Sequence, residues 1–191
     1  MTEMDETFRR DEMRRAFVSE FEQTLEGRLD RYLEIQHAGI VAHHHFSPAS
    51  SECIDLYRDG YFLSAVMVSQ AVAEGIWRFV LERNGQPSSD DRPAIAPTLV
   101  AAGTITRECA DAFIRIWKSF RNDVHHMNPK VATIPFKTLA QRNLQDLGVI
   151  ERELFAWTVT EPGKMTPTQP KYWDTNPDGT ATVFLRNPWV G

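Results

Sequence analysis

Arg121, Asn122, Asp123, His125 and His126 stand within six consecutive positions of FRNDVHHMNP, residues 120–129. These residue types hydrogen-bond and in part titrate, so crowding them beside an apolar face marks either a helix cap or a site. Imidazole titrates near neutral pH, and guanidinium is a permanently charged, planar fork. At about 100° per residue, Arg121 and His125 lie roughly 40° apart on an ideal helix, as do Asn122 and His126. Arg121 follows Trp117 by four, which puts its stem at the margin of the apolar face of a helix continuing from ADAFIRIWKS. One explanation is capping. Cations suit the negative end of a helix, so Arg121, His125 and His126 would favour its C-terminus, and Pro129 would end it by about Asn128. The other is a site, because partly buried Arg and His need partners and cluster at functional edges. Spacing does not choose between His125 and His126.

The elements that would carry these residues read mostly as helices. Phe17, Phe21, Leu25, Leu29, Tyr32 and Leu33 recur every three or four residues, predicting a long helix from about Asp5 to Gln36 with one apolar stripe. GIVAHHHFSP reads as a connection. SSECIDLYRDG predicts a short helix capped by Ser50 or Ser51 and stopped at Gly60. The next helix, closed by Asn84-Gly85, is apolar on two sides and therefore central; Gln70 and Glu74 lie on its second stripe. Glu74 there is either a helix-edge charge or a partner for Arg121 or a histidine.

QPSSDDRPAIAP predicts a loop, and a brief helix follows at about Pro97–Ala102. Thr104 or Thr106 would cap a helix whose Ala110, Phe113, Ile114, Trp117, Phe120 and Val124 face the core. A last long helix starts near Phe136 and continues its spacing to Trp157. Beyond Glu161, Pro162, Pro167, Pro170, Pro177 and Pro188 forbid a helix. There KYWDT and ATVFL flank NPDG as a β-hairpin. The expected fold is an all-α antiparallel bundle of four to five main helices over residues 1–160, with an N-terminal helix at 5–36 and a core at 51–159. A Pro-rich tail with a short hairpin occupies 161–191.

With those elements in place, Arg121-Asn122-Asp123-Val124-His125-His126 resembles the Arg-x4–6-His motif of HEPN domains. His126 supplies the four-residue spacer, whereas His125 supplies three. LYRDGYFLSAVMVSQAVAEGIWRFVLE is similar to the HEPN helix pair, and the likeness runs from about Ser51 to Trp157. The resemblance implies a helical bundle that pairs as a homodimer and brings two Arg/His motifs to one cleft. It also implies a metal-independent endoribonuclease of a toxin–antitoxin, defence or RNA-processing system, with an antitoxin or other protein as a further partner. In that reading His126 acts as general base or acid on the ribose 2′-OH or leaving oxygen. Arg121 stabilises charge on the phosphate, and Asn122 orients these groups. His125, Asp123, Glu74 and Lys118 would touch substrate or support the catalytic groups. Some members keep the fold only as binding modules, so the alternative is a non-catalytic module for RNA, a nucleotide or a protein. A third reading is a structural bundle in which Arg121 and the histidines only cap a helix. The long N-terminal helix and the tail fall outside the likeness.

Composition narrows the partners. A formal charge of −5 argues against a generally basic nucleic-acid coat, although Arg115, Lys118, Arg121 and Lys130 gather locally and a dimer would double them. Cys53 and Cys109 match no zinc or CxxC spacing and read as buried, reduced thiols. No apolar run approaches the ~18 residues that cross a membrane, and MTEMDETFRRDEMRR lacks the apolar core of a signal peptide. The expectation is a cytoplasmic protein with no cofactor. His43, His44 and His45, with His37 nearby, invite a metal reading. Consecutive side chains diverge, however, which favours a solvated or cleft-lining loop. Trp173, Phe184 and Trp189 could stack on RNA, but packing of the hairpin onto its own bundle or onto a partner subunit is the favoured role. No Walker loop, dinucleotide fingerprint, HExxH pair or GxSxG elbow occurs.

Overall fold

Helix α1 (Glu3–Leu33) follows from the long apolar stripe; it opens the computed structural model, which describes residues 3–89, 91–161 and 164–186. It is followed by strand β1 (Ile40–Ala42) and helices α2 (Ser47–Arg58), α3 (Phe62–Arg83), α4 (Arg92–Ala101), α5 (Arg107–Trp117), α6 (Arg121–His125) and α7 (Phe136–Leu154). Strands β2 (Trp157–Glu161), β3 (Lys164–Pro167) and β4 (Val183–Leu185) follow among the described residues. The protein is thus mostly helical, with a short antiparallel pair β2–β3 towards its C-terminal end and a second pair that joins β4 to β1. No helix among the described residues is long and apolar enough to cross a membrane.

The two-sided apolar pattern of α3 has the expected consequence: α3 packs against α2, α5 and α7. Trp77, Ile76, Phe113, Ile116, Ile150 and Leu154 anchor the larger core. A second cluster, with Cys53, Tyr57, Val66, Val124, Ala140 and Leu144, lies beneath α6. Cys53 and Cys109 are buried free thiols. Gly148 on α7 permits close approach, since a Cβ there would stand 2.8 Å from the Gln36 carbonyl oxygen.

Several boundaries differ from the sequence expectation, each for a local reason. Helix α2 starts at Ser47, upstream of Ser50 and Ser51, because Pro48 fits the first turn. Helix α4 starts at Arg92, upstream of Pro97, where the Asp91 carboxylate accepts the Ala94 amide at 3.2 Å. Of the two expected candidates, Thr106 caps α5, as the sequence allowed. Helix α7 stops at Leu154, and Trp157 opens a β2–β3 hairpin in which it faces Pro167. The supposed connection GIVAHHHFSP holds β1, whose β-branched Ile40 and Val41 suit a strand.

The NPDG turn forms, with the Asn176 amide donating to the Thr180 carbonyl at 2.8 Å. The ladder beyond it is limited to a bridge between Thr175 and Ala181. ATVFL pairs elsewhere: β4 runs antiparallel to β1, with Val41 opposite Phe184. Trp173 is buried against Phe155, so the tail packs on the helices. Pro162, Pro188 and Trp189 lie outside the described residues.

His44 corrects the solvated-loop expectation for the histidine run. It is buried among Phe46, Phe79 and Phe155 and reaches the Tyr172 carbonyl at 2.9 Å through Nε2, holding the tail to the bundle. Burial lowers its pKa below the usual histidine value, Asp174 opposing. His43 and His45 are exposed, and no metal-holding group of His, Cys, Asp or Glu occurs among the described residues. Arg186 in the tail makes a buried ion pair. Arg186 donates to Glu151 and to the Ser50 hydroxyl, both at 2.5 Å, and to the Ala38 carbonyl at 3.2 Å.

Candidate functional site

The motif does not end α5; it forms a separate helix. Helix α5 stops at Trp117, and Ser119 is held from two sides. Gln70 of α3 donates to its carbonyl at 2.7 Å and its hydroxyl at 2.9 Å, and Asn143 of α7 donates to the same hydroxyl at 3.2 Å. Phe120 then adopts a left-handed conformation, φ 57°, and turns the chain into α6. That conformation costs a non-glycine residue about 1–2 kcal/mol. The Ser119 clamp and the partly buried Phe120 ring offset it. Sequence spacing could not reveal this break, because the apolar period carries through from Trp117 to Val124 while the helix does not.

The break also corrects the role of Arg121. It is the first residue of α6, not a cap at a helix C-terminus. A cation is disfavoured at a helix N-terminus. Here it is offset by Glu74 of α3, whose carboxylate meets the Arg121 guanidinium at 2.5 Å and also pairs with Arg78. Glu74 is only 14% exposed, so it is a shared acidic anchor beneath two arginines rather than a solvated edge charge. Gln70 lies one helical turn before it and is buried. The second stripe of α3 therefore supports both the break and the motif.

Val124 is fully buried and fixes α6 to the smaller core. Asp123 secures the exit: it accepts from the Asn128 side chain at 3.2 Å and faces Lys130 at 3.7 Å. Lys130 also stands 4.9 Å from the centre of the Phe120 ring. The turn closes through Met127, which is also left-handed at φ 48°. His126 terminates α6, its amide donating to the Asn122 carbonyl at 3.2 Å, and both His125 and His126 are exposed.

An open cleft of about 420 Å³ lies beside the start of α6, lined by Trp117, Lys118, Phe120, Arg121, Asn122 and Asp123. It combines two aromatic rings, two cations, an amide and the Asp123 carboxylate, which Lys130 faces; the rings and cations suit a phosphate-bearing ligand with a flat base. His125 and His126 do not line it. About 100° per residue separates Arg121 from His126 by roughly 140° around the α6 axis. Of the expected basic cluster, only Lys118 and Arg121 reach the cleft. Arg115 forks onto Asp146, at 2.7 Å for its shortest contact, and Lys130 leans on Asp123. Sequence reasoning placed Glu74 and Asp123 near the motif, but missed Ser119 and Asn143. Neither polar residue carries a sequence signal beyond its place on an apolar face. No family model, curated protein or solved structure matched this chain.

Proposed function

We propose that the chain is a HEPN-like bundle, with α2, α3, α5 and α7 as its main helices, that works as a homodimer and cuts RNA without a metal ion. The observation that carries this reading is the placement of Arg121 and Asn122 at the start of a short helix, ended by His126, beside an open cleft lined by aromatic rings and cations. In this mechanism His126 takes the proton of a ribose 2′-OH, and the freed oxygen attacks the adjacent phosphorus. The bond to the 5′-oxygen breaks, and a protonated histidine of the second copy returns a proton to that leaving oxygen. Arg121 and Asn122 hold the non-bridging oxygens as charge develops on them. Glu74 orients the Arg121 fork, and Lys118 draws in the backbone. Because His126 stands outside the cleft of its own protomer, this mechanism needs both histidines to meet the scissile phosphate where two copies join. A role as a toxin or defence effector belongs to the same proposal.

The alternative, a binding module without turnover, is favoured by the Arg121–Glu74 ion pair, which engages the guanidinium before any ligand arrives. Incubating the protein with structured and single-stranded RNA in EDTA separates the two. Cleavage lost in both His126→Ala and Arg121→Ala supports catalysis. Retained RNA binding without cleavage, across a wide panel of substrates, supports the module.

A further inference from the structure

Every described side chain from Asp5 to Thr24 of α1 is exposed. That arm extends about 30 Å beyond its docked end. Leu25 and Tyr32 are half-buried at that end, Arg31 donates to the Arg58 carbonyl at 2.6 Å, and Arg28 meets Asp59 at 3.4 Å. The same apolar stripe continues outward with no other element over it: Phe17 is 61% exposed, Met13 55%, and Phe21 49% with the Arg28 guanidinium 5.0 Å from its ring centre. A helix with no tertiary packing is marginal in water. Ion pairs such as Arg10–Glu6 at 3.3 Å give such an arm only a few tenths of a kcal/mol each. An arm of this length with an open aromatic stripe calls for a partner surface.

Charge identifies the occupant. Residues 9–15 carry Arg9, Arg10, Arg14 and Arg15 against two acidic residues, whereas residues 20–26 carry Glu20, Glu22 and Glu26 and no basic residue. A two-fold axis beside Phe17 lays the basic segment of one arm along the acidic segment of another. Parallel pairing in register would set each charge against itself. A single antiparallel contact is also closed, since both copies use the same patch. The acidic segment disfavours an anionic membrane as the covering surface. We infer that the exposed arm of α1 is a self-association element, which pairs antiparallel with the arm of a second copy through Met13, Phe17 and Phe21. The inference is argued from α1 alone, and it makes the arm the contact of the homodimer that the ribonuclease reading also requires.

Light scattering coupled to size exclusion should give the full chain twice its 21.9 kDa mass at micromolar concentration. Phe17→Glu with Phe21→Glu should give a monomer with unchanged thermal unfolding of the bundle. Reversing Arg10, Arg14 and Arg15 to Glu should break the dimer. So should reversing Glu20, Glu22 and Glu26 to Lys, and mixing the two variants should restore it. On oxidation, a chain with Arg10→Cys should cross-link to one with Thr24→Cys, and neither should cross-link to itself. A monomeric wild type would overturn the inference. A dimer that survives the two phenylalanine substitutions would also overturn it, because pairing would then run through another face.

Discussion

Arg186→Met should cost about 3–5 kcal/mol, the cost of leaving a buried carboxylate without its cation. Arg186 and Glu151 have side chains only 2% and 4% exposed, so water cannot replace the lost partner. The guanidinium also donates to the Ser50 hydroxyl and the Ala38 carbonyl; in the variant Ser50 keeps only its own bond to Glu151, at 2.6 Å, and the Ala38 carbonyl loses this donor. With a urea dependence of about 2 kcal/mol per molar, the unfolding midpoint should fall by about 1.5–2.5 M. Replacing both partners, Arg186→Met with Glu151→Leu, removes the stranded charge. That double variant should recover most of the loss, because apolar substitution of a complete buried pair is often neutral. Urea titration followed by circular dichroism reads both. A single-variant loss below about 1 kcal/mol, or a double variant no better than the single, would refute the claim that this pair ties the tail to α2 and α7.

Three further outcomes follow from local geometry. Gly148→Ala should destabilise by about 1–3 kcal/mol in the same titration, since its Cβ would press on the Gln36 backbone rather than on a movable side chain. Met127→Gly should stabilise by about 0.5–1 kcal/mol, because the residue is left-handed and its exposed side chain gives up little packing. His44 has a lowered folded pKa, caused first by burial, so the unfolded chain binds its proton more readily. Its contribution is therefore complete above the unfolded value of about 6.5 and is lost as pH falls through the folded value. The urea midpoint should drop between pH 7.5 and 5.5, and His44→Gln should shrink that drop.

Helices with long, strongly periodic faces were legible in the sequence, because burial along one side dictates them; α3 and α7 are the clearest. The strands were less so. Val183–Leu185 had two candidate neighbours, and only the packed helices decide that it joins Ile40–Ala42 rather than KYWDT. The site was half legible. Glu74 could be placed beside Arg121 from its position on the second stripe of α3. The break at Phe120 could not, because it depends on the buried clamp of Gln70 and Asn143 on Ser119, a contact between distant segments. The histidine run misled for a similar reason: His44 looks like a solvated loop residue until Tyr172 arrives to meet it.

The ends of the RNA product test the proposed chemistry most directly. Cleavage in EDTA by the wild-type chain, absent from His126→Ala and Arg121→Ala with intact fold, should leave a 2′,3′-cyclic phosphate and a 5′-hydroxyl. A substrate with deoxyribose at the cleaved position should remain whole. Fragments ending in 3′-hydroxyl and 5′-phosphate, or cleavage that persists without His126, would contradict attack by the 2′-oxygen through this histidine.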